Sequence, residues 1–132
     1  MENDTKQTLL KAAEGLLYPS ESDYPFEYFE WQTTNEKLSK KEMCQLSGLS
    51  SGVPIETLSL EKFFEPVTQI QDWYGEEEKA STEEFKNLKL VLETTLQDIQ
   101  VFKAGKVEAS VYITGKDVEG KRVGLFTKVV ES

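Results

Sequence analysis

Histidine is absent from the 132 residues, which removes the commonest general base, the usual zinc ligand and the side chain that titrates near neutral pH. Ser-His-Asp, Cys-His and His-metal chemistry are excluded with it. Cysteine occurs once, as Cys44, so neither an internal disulfide nor a Cys-x-x-Cys site can form, and a reducing cytoplasmic setting is expected. No apolar run is long enough to span a bilayer, and Met1-Glu2-Asn3-Asp4 carries the wrong charge for a secretory leader. Positive charge is scarce: 15 Lys and Arg stand against 24 Asp and Glu, a formal net charge of -9. Such a chain repels phosphate backbones and anionic lipid, which argues against direct nucleic-acid or membrane binding; by itself the acidity fits plain solubility first and attraction to a basic protein partner second. The acidity is uneven, with 20 acidic against 9 basic residues through Asp98 and 4 against 6 from Ile99 to Ser132.

What is present fits one domain over residues 1–132, since a chain of this length buries about two thirds of its surface around one core. Leu9, Ala12, Ala13, Leu16 and Leu17 fall at helical spacing after a cap at Asp4 or Thr5, with Pro19 as the stop. Phe26 to Trp31 alternates aromatic and acidic residues as a strand, and Trp31 is assigned to the core. Ser39, Glu42 and Gly48 frame a short helix, Val53 to Leu58 a brief strand, and Ser59 to Phe64 one or two helical turns ending before Pro66, with Phe63 and Phe64 in the core. Gln69 to Glu78 has no clean period and is predicted to be a loop. A capping box at Ser81-x-x-Glu84 then opens a long amphipathic helix faced by Phe85, Leu88, Val91, Leu92 and Leu96. Beyond Asp98 the period becomes two, predicting strands at 99–103, 107–114 and 121–130. Early mixing of helices and strands with late antiparallel clustering gives an α+β fold, helices covering a central sheet.

Paired carboxylates for hydrolysis are available in loops, as Glu21 with Asp23 or Asp72 with Glu76 and Glu77, yet their spacing matches no calcium loop, phosphate cradle or nucleophile elbow. The chain is therefore read as a non-enzyme. Trp73 and Tyr74 carry more information, because a loop aromatic either folds onto the core or is held out as an anchor. Acidic neighbours on both sides favour the anchor, steered towards a basic partner. At the other end, a strand running to Val130 leaves only Glu131 and Ser132 beyond it; such an end either frays, as most do, or holds the terminal carboxylate and the Ser132 hydroxyl as a compact oxygen donor for a hard cation.

Three blocks, Ser20-Glu21-Ser22-Asp23-Tyr24-Pro25-Phe26-Glu27, Gln71-Asp72-Trp73-Tyr74 with its following acids, and Thr127 to Ser132, resemble the cyanobacterial nuclease A inhibitor family. Gly15-Leu16-Leu17, Phe63-Phe64, Gly105-x-Val107-Glu108 and Val111-Tyr112 extend the likeness over essentially the whole chain. The resemblance implies a three-layer α/β/α sandwich of the pathogenesis-related-protein type. It also implies a monomer that blocks, one to one, a magnesium-dependent, sugar-non-specific endonuclease of the ββα-metal class. Glu21 would pair with an active-site arginine; Gln71, Asp72 and Trp73 would contact the nuclease from the neighbouring loop. Ser132, a threonine in the family, would reach the nuclease's magnesium, the chain carrying no cofactor of its own. The region between Gln32 and Pro54 is shorter and departs most from the family pattern. The alternative is a non-catalytic interaction module that keeps the fold and binds a different basic partner.

Overall fold

The computed structural model describes residues 5–18, 24–31, 39–48, 52–68, 73–106, 108–117 and 119–130. Among them, four helices and seven strands follow in the order α1 (Thr5–Ala13), β1 (Leu17–Tyr18), β2 (Tyr24–Pro25), β3 (Glu27–Trp31), α2 (Lys40–Ser47), β4 (Ile55–Leu58), α3 (Leu60–Thr68), α4 (Glu76–Thr95), β5 (Gln97–Ala104), β6 (Glu108–Lys116) and β7 (Arg122–Val130). The fold is α+β. Its centre is a five-stranded sheet in the order β3-β7-β6-β5-β4, antiparallel at every pairing, and β1 and β2 form a separate antiparallel pair.

Neighbouring residues on a strand face opposite ways, and the sheet divides its apolar side chains accordingly. Val101, Val111, Ile113, Val123 and Leu125 pack with Leu9 of α1, Phe63, Phe64 and Val67 of α3, and Phe85, Leu88 and Leu92 of α4. The alternate residues Trp31 and Phe102, with Ala104, pack with Met43 of α2, and Phe29 and Tyr112 join this cluster. Trp31, Phe63 and Phe64 are core residues, as the sequence predicts. The Ser39 cap and Gly48 stop of α2 also form: Ser39 Oγ accepts from the Glu42 N–H at 3.1 Å, and Gly48 adopts a φ of 76°.

Three boundaries differ from expectation. α1 stops at Ala13, with Gly15 at a φ of 76°, well before Pro19, and Leu17 joins β1. α3 runs through Pro66 to Thr68 despite the missing N–H, because Phe63, Phe64 and Val67 bury an apolar face that extends past the proline. α4 opens at Glu76, placing the acidic run in its first turn instead of in a loop and leaving Ser81 inside the helix. Residues 76–81 are exposed all round, so they show no apolar period; Glu, Lys and Ala favour helix intrinsically, and that signal outweighs the missing period. Glu78 supplies the true N-terminal lock by accepting from the Gly75 N–H at 2.9 Å, while three glutamates in the first turn complement the helix dipole.

Candidate functional site

Of the residues assigned to partner binding, Trp73 lies within the described residues; Glu21, Gln71, Asp72 and Ser132 lie outside them. Trp73 is 76% exposed. Its ring meets Tyr74 edge to face, with centroids 4.6 Å apart and planes at 84°. The fork posed by sequence, core or anchor, is resolved towards a side chain held out in solvent.

The segments flanking the other assigned residues are placed by strand register. Tyr18 pairs with Tyr24, the described residues on either side of positions 19–23, and Thr127 Oγ1 of β7 donates to the Tyr24 carbonyl at 3.2 Å. Lys128 Nζ stands 5.8 Å from the centre of the Tyr24 ring. Because β3 is antiparallel to β7, with Glu27 opposite Phe126, the chain preceding it heads towards Val130, the last described residue before Ser132. Tyr24 and Val130, the described residues next in sequence to the Glu21 block and to Ser132, therefore lie at the same end of the sheet.

Trp73 belongs to that end too. Leu96, just beyond α4, packs beside Gly115, which lies opposite Val123; Phe85, halfway along α4, meets Phe26 with ring centroids 6.5 Å apart. From Phe85 back to Gly75 the helix advances about 15 Å further in the same direction, comparable with the about 13 Å of strand from Phe126 to Val130. Glu76, Glu77, Glu78 and Glu108 are exposed there, as are Lys106 and Lys128. Beside Trp73, a groove of about 190 Å³ is lined by Val67, Tyr74, Glu78 and Phe85 among others. Its floor and the role of Glu78 were not foreseen from sequence, although Glu78 three residues after Gly75 is a readable capping signal.

A family model described as nuclease A inhibitor-like protein matches residues 3–132, nearly the whole chain. The chain belongs to the nuclease A inhibitor-like family. Comparison with curated proteins gives no match. This family membership implies a nuclease as partner and supports a role as a nuclease inhibitor. Among the described residues, no group of three or more Asp, Glu or Cys is arranged to hold a metal ion, and no helix is long and apolar enough to cross a membrane.

The chain's one arginine, Arg122, lies away from this end, opposite Trp31 and Lys116 in the sheet, and is 1% exposed. It donates from Nη1 to the Asp98 carbonyl at 3.3 Å, and Asp98 takes a φ of 53° beside a register irregularity in β5. Burial lowers the pKa of the guanidinium, while the charges of Asp98 and Glu42 oppose that shift. The arrangement ties β7 to the α4–β5 junction.

Proposed function

We propose that this protein is a non-catalytic, cytoplasmic monomer that inhibits a magnesium-dependent, sugar-non-specific endonuclease of the ββα-metal class by occupying its active site in a one-to-one complex. The observation that carries the reading is Trp73, 76% exposed beside an acidic helix start, in a chain whose family match spans residues 3–132. An interface anchor exposed before binding and placed beside an acidic helix start suits a cleft built from phosphate-binding arginines.

Glu21 pairs with one such arginine, and Gln71, Asp72 and Trp73 dock alongside. The Ser132 carboxylate approaches the nuclease's magnesium as a scissile phosphate oxygen would, yet offers no phosphodiester bond to cleave. The target supplies the metal. In the finer reading of the fold, α2 on one face of the sheet and α1, α3 and α4 on the other form a three-layer α/β/α sandwich of the pathogenesis-related-protein type, supported by the two apolar clusters.

The test is DNA cleavage by a purified magnesium-dependent non-specific nuclease across a range of inhibitor concentrations, with the chain terminus free. Stoichiometric loss of activity is expected. Residues added after Ser132 should abolish much of the inhibition by moving the carboxylate off the metal. An extended chain that inhibits as well as the native one would defeat the metal contact, and failure against every ββα-metal nuclease would defeat the reading as a whole.

A further inference from the structure

The groove between the last turn of α3 and the first turns of α4 has three chemically distinct parts. Val67 and Phe85, 6% and 3% exposed, contribute its apolar floor. Trp73 and Tyr74 form an aromatic wall. Glu78 and Ser81, both exposed, form the rim, and one Glu78 oxygen accepts from the Gly75 N–H. Among the described residues lining it, no side chain is basic.

At about 190 Å³ the groove is smaller than the roughly 300 Å³ at which drug-sized ligand pockets begin, so one side chain suits it better than a cofactor. The local charge is negative: the helix N-terminus contributes about half a positive charge, against carboxylates at Glu76, Glu77 and Glu78. An apolar floor, an exposed indole and a carboxylate rim together match a long aliphatic stem that ends in a cation.

We propose that this groove receives one lysine or arginine side chain of the partner, its methylenes against Val67 and Phe85 and its cation at Trp73 and Glu78. The proposal rests on the inhibitor reading above and adds a second cation-recognition point to the Glu21 loop. It explains why the anchor is an indole beside glutamates and not an aliphatic residue, since the aromatic face attracts a cation and the carboxylate orients it.

The test needs no nuclease. The full ¹⁵N-labelled chain is titrated separately with N-acetyl-lysine amide, N-acetyl-arginine amide and N-acetyl-norleucine amide, following the Trp73 indole N–H resonance. Saturable shifts are expected with both cationic probes, with affinity about fivefold above norleucine, as for a cation–π contact worth about 1 kcal/mol. Glu78→Gln, which can still accept from the Gly75 N–H, should reduce cation binding severalfold with only a small loss of thermal stability from the weakened helix-dipole contact. No saturable shift with either cation, equal affinity for norleucine, or unaltered binding by the variant would each overturn the proposal. A chain that inhibits a nuclease yet ignores the cations loses the groove alone. One that binds the cations yet inhibits no nuclease loses the function and keeps the groove.

Discussion

Trp73 and Trp31 are the chain's two tryptophans and have opposite environments: Trp31 is 9% exposed and packs with Met43 and Phe102, whereas Trp73 is 76% exposed. Trp73→Ala should therefore weaken nuclease binding by about 2 kcal/mol while changing folding stability by no more than about 0.5 kcal/mol. Calorimetric titration and urea unfolding of the same variant separate the two quantities. Tyr28 offers a pH-dependent test. Its hydroxyl donates to Glu30 Oε1 at 3.1 Å, and its pKa is pushed well above the ordinary 10.0 by burial, then by the hydrogen bond and charge of Glu30, then by Asp117. Above about pH 10 the unfolded chain releases this proton while the folded chain retains it, so the folded state loses relative stability as pH rises from there. Urea midpoints from about pH 8 to about pH 11 should show the native chain falling faster than Tyr28→Phe above pH 10. Parallel curves would reject the assignment.

Among the elements, β7 is held on both sides, paired with β3 on one and β6 on the other. Gly124, its third residue, stands opposite Phe29 and Thr114, and a Cβ there would run into the Ile113 carbonyl. Gly124→Ala should cost about 2–3 kcal/mol of stability, read by urea unfolding, because the clash is with backbone that cannot turn aside. The same strand delivers Thr127 to the Tyr24 carbonyl, so a shift in its position would move β2 with it. α4 couples similarly to Trp73: Phe85 touches Phe26 on one side and lines the Trp73 groove on the other.

The whole molecule carries -9 formal charges, and its exposed Trp73 end presents the first-turn glutamates of α4. Long-range attraction to a basic cleft raises the encounter rate and is screened within about 10 Å at 0.1 M salt. Raising salt to about 0.5 M should slow association with the nuclease about tenfold and leave dissociation nearly unchanged, as stopped-flow mixing can measure. An equal effect on both rates would assign the acidity to solubility instead of steering.

Much of this was readable from local pattern. Period-two alternation marked β6 and β7, the spacing of Phe85, Leu88 and Leu92 marked the buried face of α4, and the Ser39 and Gly48 signals marked α2. Those features depend on residues near one another in the chain, where side-chain direction repeats with backbone geometry. The absence of histidine and the matched blocks likewise needed no coordinates. Other features did. The start of α4 at Glu76 lay hidden because a turn exposed on all sides has no apolar period, and the passage of α3 through Pro66 depends on burial against distant elements. The exposure of Trp73 is a property of the packed fold, and the placing of β2 beside β7 rests on a contact between residues over a hundred positions apart, Tyr24 and Thr127. Local sequence sets which face of an element is apolar; only the packed fold decides what that face meets and what remains in solvent.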